Sequence, residues 1–93
     1  MPAEYLLYVL GCEDNTYYVG MTTDIVRRFN QHISGKGCWF TRKYKPIRII
    51  ELRHTYTKNP EEAALLESKL ACKYVKKYGF ENVRGGAFYT VVK

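Results

Sequence analysis

Glu67 is the residue hardest to account for as ordinary packing. Ala63, Leu66, Leu70 and Tyr74 recur at helical spacing and mark an apolar face, and Glu67 falls inside the same arc. A carboxylate there must meet a cation or sit at the edge of a cleft, because burying it alone costs several kcal/mol or raises its pKa. An ion pair with a nearby Arg or Lys is the plain reading, and a metal ligand is the chemical one. Arg28 and His32 stand four residues apart on one helical surface, a permanent cation beside a titratable imidazole, which suits holding a phosphate and moving a proton. Taken alone, their ordinary reading is a solvated arginine and a surface histidine. Tyr8 and Tyr18 lie on two short strands, where an outward phenol could reach a shared cleft, although strand tyrosines usually pack.

The elements that must position these groups follow from pattern and punctuation. Tyr5 to Leu10 is a short run of tyrosine and aliphatics that reads as a buried strand, Gly11 to Asn15 as a turn, and Thr16 to Val19 as a second strand ending at Gly20. Thr22, Thr23 or Asp24 can cap a following helix, whose apolar stripe is Ile25, Phe29 and Ile33 and whose stop is Ser34-Gly35-Lys36-Gly37. Cys38 to Tyr44 is aromatic and basic and has room for one helical turn before Lys45-Pro46. Ile47 to Tyr56 reads as a third strand. Asn59-Pro60-Glu61-Glu62 is a strong helix start, with an N-cap, a proline whose missing N–H costs nothing and acids that favour the dipole, and Gly79 ends that helix after Tyr78. Phe80 to Arg84 leads into Gly85-Gly86, and Phe88 to Val92 reads as an edge strand or an oligomer contact. The expected architecture is α/β in the α+β sense: a small, mainly antiparallel three-stranded sheet flanked by helices, in the order β-β-α-(short α)-β-α with a C-terminal tail.

Composition limits the class of protein. Ninety-three residues, 46% hydrophobic and 26% charged, suit a single domain over residues 1–93 that buries its own core. No apolar run approaches the ~20 residues of a membrane span, and Met1 to Tyr8 lacks the basic start and cleavage site of a secretory signal, so the expected location is the cytoplasm. Cys12, Cys38 and Cys72 have neither zinc nor disulfide spacing and read as reduced thiols. A net charge of +6 favours a polyanionic partner over simple solubility charge.

Read in order, Leu6-Leu7-Tyr8-Val9-Leu10, Tyr18-Val19-Gly20, Thr22, Arg28 with His32, Glu67 and Asn82 resemble the GIY-YIG nuclease family over roughly Tyr5 to Gly86. Tyr18-Val19-Gly20 matches the YIG element with one conservative change. Leu6-Leu7 replaces the Gly-Ile of the first element while its tyrosine is kept as Tyr8. The segment Gly37 to Tyr44 has no second histidine, which some members carry there.

The resemblance implies hydrolysis of a DNA phosphodiester with one divalent ion, Mg2+ or Mn2+, held by Glu67; the small domain, with little surface for reading a long sequence, points to branched or damaged structures of the kind met in repair or recombination. The resemblance also implies Arg28 on the non-bridging oxygens, Tyr8 as general base or water-orienting group with Tyr18 in support, His32 as the alternative base, and Asn82 beside the active site. Lys36, Trp39, Arg42, Lys43 and Lys45, with Arg84, would contact nucleic acid, cations on phosphates and rings on exposed bases. RNA is an alternative substrate, and a second copy or a partner subunit could supply specificity. Two rival readings remain at this level: a nucleic-acid-binding module of the same fold without cleavage, and an interaction domain that assembles through Phe88 to Val92.

Overall fold

The computed structural model describes residues 3–85. Strands β1 (Leu6–Cys12) and β2 (Thr16–Thr22) form an antiparallel hairpin in which Leu6 faces Thr22 and Cys12 faces Thr16. A single 3-10 turn over Glu13–Asn15 closes it, and Asp14 and Asn15 take positive φ (61° and 56°), a conformation those two residue types tolerate well. Helix α1 (Ile25–Ile33) starts at Asp24, whose carboxylate accepts the Arg27 N–H at 3.1 Å. The short helix α2 (Trp39–Lys43) leads into β3 (Pro46–His54), which pairs antiparallel with β1. Helix α3 (Pro60–Tyr78) opens on the Asn59 side chain, which accepts the Glu61 N–H at 2.8 Å, and closes at Gly79 with φ 96°.

The sheet has four strands in the order β3-β1-β2-β4, one more than the sequence suggests. The addition is β4 (Val83–Gly85), which runs parallel to β2 and sets Val83 opposite Tyr17 and Arg84 opposite Tyr18. Three residues are too few to show a period of two, so this strand is fixed by its tertiary partner and reads from sequence as the start of a tail. The third strand also begins and ends earlier than expected. Tyr56, with φ 60°, has left the extended region, and Pro46 can open an edge strand because no neighbour needs its N–H. The Phe88 to Val92 stretch lies outside the described residues. Among the described residues no helix is long and apolar enough to cross a membrane.

β1 is buried along most of its length because both faces of the sheet are covered. Leu7, Val9 and Val19 point to one face and pack with Leu70, Ala71 and Val83 under α3. Tyr8, Leu10, Cys12 and Tyr18 point to the other and pack with Phe40, beneath α1 and α2. The expected apolar stripes pack on the core except at one residue each: Ala63, Leu70 and Tyr74 on α3 and Ile25 and Phe29 on α1 lie against it. On α3 the buried side is Ala63, Glu67, Ser68, Leu70 and Ala71, and Leu66 lies at its margin, 36% exposed. On α1 the terminal stripe residue Ile33 is exposed, and the helix's buried residue is His32.

Candidate active site

β1 and β2 carry Tyr8 and Tyr18 on the same face, two residues apart along the hairpin register, so their rings meet with centroids 6.3 Å apart. α1 crosses that face and places the His32 ring against both phenols, at 5.9 Å from Tyr8 and 5.1 Å from Tyr18. His32 is therefore no surface histidine: it is 1% exposed, as is Tyr8. The Tyr8 hydroxyl lies 2.9 Å from His32 Nε2, and His32 Nδ1 lies 2.8 Å from Thr41 Oγ1 on α2. The Thr41 hydroxyl donates to the Cys38 carbonyl at 3.2 Å. Its lone pair then receives Nδ1–H, which leaves Nε2 as an acceptor for the Tyr8 O–H. Burial, and then the charge of Arg28, bring the His32 pKa down to about 4, so the imidazole is neutral at pH 7.

Two glycines make this chain of contacts sterically feasible. Gly20 sits opposite Tyr8 across the hairpin, and a Cβ there would come within 2.4 Å of both the Tyr8 hydroxyl and Cζ. A Cβ on Gly37 would come within 2.4 Å of His32 Nδ1 and 2.9 Å of Thr41 Oγ1. Gly37 and Thr41 are site-shaping residues that sequence reasoning passed over. The readable signal was a second glycine two positions after Gly35. Gly35, with φ 81°, already ends α1, so Gly37 had no turn to make and points instead to a close approach.

Arg28 lies one turn before His32 on α1 and faces the hydroxyls of Tyr8 and Tyr18. Its guanidinium donates to Gln31 Oε1 at 3.0 Å. Burial works against its charge, but the two phenols outweigh that and hold Arg28 cationic. Burial pushes the Tyr8 pKa up to about 12, with Arg28 pulling the other way and Glu67 adding to the rise. Tyr18 is raised too, by burial first and then by Cys38, Tyr8 and Glu67. Glu67, 2% exposed in the middle of α3, is thus near enough to both phenols to be felt by them.

This donor set fits a hard, hydrated cation. One carboxylate stands beside neutral hydroxyls, which matches an ion that keeps most of its water and needs only one or two carboxylates. Among the described residues no three His, Cys, Asp or Glu side chains gather as a cage, so a thiolate or imidazole cluster of the zinc type is not formed by them.

Asn82 is engaged at the end of α3. Its amide donates to the Tyr78 carbonyl at 2.9 Å, capping the C-terminal end of α3. Tyr78 is eleven residues beyond Glu67, about 16 Å along the helix axis. Arg84 bonds the carbonyls of Phe80 (3.0 Å) and Val83 (2.9 Å) and lies over the Phe80 ring. Lys36, Arg42, Lys43 and Lys45 are exposed around α2, with Trp39 56% exposed and edge-on to Phe40. Since Phe40 stacks on Tyr18 and Thr41 holds His32, this basic, aromatic surface is the outer side of the same helix that supports the polar cluster.

A tyrosine from each strand of a hairpin, an arginine and a histidine from the next helix and a glutamate from the last thus share one neighbourhood of the fold. Residues 4–79 match the family model described as the GIY-YIG catalytic domain, and the chain belongs to the GIY-YIG nuclease family. It is 43% identical over 65 residues to a UPF0213 protein of Cupriavidus necator, covering 70% of this chain and 71% of that one. A UPF0213 protein of Cupriavidus pinatubonensis is 39% identical over 70 residues, 75% of this chain and 73% of the relative. One from Streptococcus pneumoniae is 43% identical over 67 residues, 72% and 66% of the two chains. No solved structure matches.

Proposed function

We propose that this protein is an endonuclease that hydrolyses phosphodiester bonds in DNA with one divalent cation, Mg2+ or Mn2+, held at Glu67. The observation that carries the reading is the hydrogen bond from the Tyr8 hydroxyl to a neutral His32, made within reach of both Arg28 and Glu67. With its pKa raised, Tyr8 is not a free phenolate at neutral pH. It acts instead as the first half of a relay: it accepts a proton from the attacking water as its own proton passes to His32 Nε2. The water oxygen bonds to phosphorus, the bond to one ester oxygen breaks with its electron pair, and that oxygen takes a proton from solvent while His32 returns its own to solvent. Tyr8 and His32 are then one base in two parts rather than competing candidates.

Arg28, half-buried above the phenols, holds the non-bridging oxygens through its planar fork, a contact worth about 3 kcal/mol when aimed at the transition state. Tyr18 orients Arg28 and closes the side of the cluster toward α2. A bound divalent cation supplies charge neutralisation at phosphorus and at the leaving oxygen. The exposed cations and Trp39 of the Lys36–Lys45 segment, with Arg84, approach the rest of the substrate. Branched or damaged duplexes are the expected targets, since a domain of this size offers little surface for reading a long sequence. DNA repair is the process such targets serve, and the cytoplasm is the proposed location.

A panel of labelled linear, nicked, flap and four-way substrates tests this, with and without Mg2+ or Mn2+. We expect cutting that EDTA abolishes and that Glu67→Gln and Arg28→Lys each reduce at least 100-fold. Full activity in both variants overturns the assigned roles, and salt-sensitive binding with no cut on any substrate identifies a binding module instead.

A further inference from the structure

On the opposite face of the sheet from Tyr8 and His32, α3 and β3 enclose a groove whose charge the site above does not use. Lys69, Lys73 and Lys77 recur every fourth residue and form one exposed stripe, each about 6 Å of rise from the next. Glu51 and Arg53 stand opposite Val9 and Leu7 in the β-ladder and so project to the same side. Two adjoining cavities of ≈ 200 and ≈ 250 Å³ share Lys73; Lys77 lines the first, and Arg53 and Lys69 line the second. The carboxylate in the groove is already engaged: Glu51 accepts the Tyr74 hydroxyl at 2.7 Å and pairs with Arg53. Those contacts hold its pKa below the usual carboxylate range. The lysine stripe remains as surplus positive charge.

We infer that this groove binds the phosphodiester backbone of a second segment of the nucleic acid whose cleavage the first face carries out. The inference rests on the proposed nucleic-acid substrate. Cations in a row, without a bidentate fork aimed at a base edge, read phosphates and not sequence. The tyrosines nearby are not offered to bases either, since Tyr17 and Tyr78 already stack on each other at 4.1 Å. One straight duplex cannot lie on both faces of a covered sheet. Occupying both surfaces requires a substrate that bends or branches around the domain, so the groove gives a physical reason for a preference for branched over linear DNA.

Binding measured in EDTA separates this from the chemistry. Lys69→Ala/Lys73→Ala is compared with Lys58→Ala/Lys76→Ala, an equal loss of charge from exposed lysines that do not line the groove. For a four-way junction we expect the first variant to lose at least tenfold in affinity and the second less than threefold. The slope of log K against log salt should fall by about 2 in the first, close to 0.9 for each phosphate released. The parent should favour the junction over a linear duplex of equal length, and the first variant should lose that preference. Equal weakening by both variants, or a parent without junction preference, overturns the groove. The two proposals fail separately: the expected binding pattern in a protein that never cuts with Mg2+ removes the nuclease reading alone, and metal-dependent cutting with equal weakening removes the groove alone.

Discussion

The two faces of the sheet are built from the same strands and differ in kind. Beneath α3 the buried surface is aliphatic, with Leu7, Val9, Val19, Leu70, Ala71 and Val83 in one cluster. Beneath α1 and α2 it is aromatic and hydrogen-bonded, with Tyr8, Tyr18, His32 and Thr41 in contact. Apolar burial is non-directional and tolerates small shifts, whereas a buried polar network has value only while each donor finds its acceptor. The aliphatic face accordingly holds the fold, and the aromatic, hydrogen-bonded face holds groups at chosen distances. Substitutions on the two faces should separate stability from activity.

The largest separation is expected from glycines. Gly20→Ala puts a methyl where the end of the Tyr8 ring now lies, and Tyr8 is too buried to swing aside. Cleavage should fall at least 100-fold, because displacing a catalytic group by about 1 Å costs that much. Gly35→Ala has open space around its Cβ and suffers only from φ 81°. It should lose about 1 kcal/mol of stability and cut normally. Equal activity losses in the two would show that Gly20 is needed for its backbone and not for the Tyr8 contact.

On the aliphatic face Leu70→Ala should cost about 3 kcal/mol from lost burial and a residual cavity. In a domain of this size that lowers Tm by more than about 10 °C. Assayed well below its own Tm, the variant should retain most of its cleavage rate. A rate that collapses while the protein is still folded would mean that the α3 core also sets the position of Glu67.

The sequence carried the elements well where local chemistry decides them and poorly where a distant partner does. Asn59-Pro60 and Gly79 bound α3 on cap and dipole grounds, and the hairpin follows from short β-rich runs around Asp14-Asn15. Val83–Gly85 has no local signature and becomes a strand through its pairing with β2. Among the candidate site residues, Tyr8, Tyr18, Arg28, His32 and Glu67 are brought into one neighbourhood. Glu67 was legible because a carboxylate on an apolar arc is anomalous. Asn82 stands out only by its position in a motif, and position cannot show that its amide bonds the Tyr78 carbonyl at the end of α3. Thr41 was invisible because its importance lies in a contact made nine residues away.

A smaller contrast lies in pH. Native His32 stays neutral down to about pH 4, while in the unfolded chain it takes a proton near its ordinary pKa of 6.5. Between those values the unfolded state binds more protons, so lowering the pH through that window destabilises the fold. The contribution of His32 is complete above pH 6.5 and is lost as the pH falls toward 4. Measured Tm should therefore decline more steeply from pH 7 to 4 in the parent than in His32→Gln. Identical slopes would mean that His32 takes up its proton at the same pH in the native and the unfolded chain, which removes burial as the control on its charge.

The smallest expected effect tests the far end of the network. Thr41→Val keeps the volume of the side chain and removes the oxygen that receives His32 Nδ1–H, leaving a buried donor without its partner. The stability cost should be about 1 kcal/mol. Cleavage should fall about tenfold, because the imidazole is no longer held in the tautomer that offers Nε2 to Tyr8. Thr41→Ser restores the hydroxyl without the methyl and should recover most of the rate. Nitrogen NMR of the imidazole would then show Nδ1 protonated in the parent and in Thr41→Ser, and a mixed population in Thr41→Val. If Thr41→Val and Thr41→Ser lose activity equally, Thr41 contributes packing alone, and the tautomer of His32 is set by Tyr8 on the hairpin and Arg28 on α1.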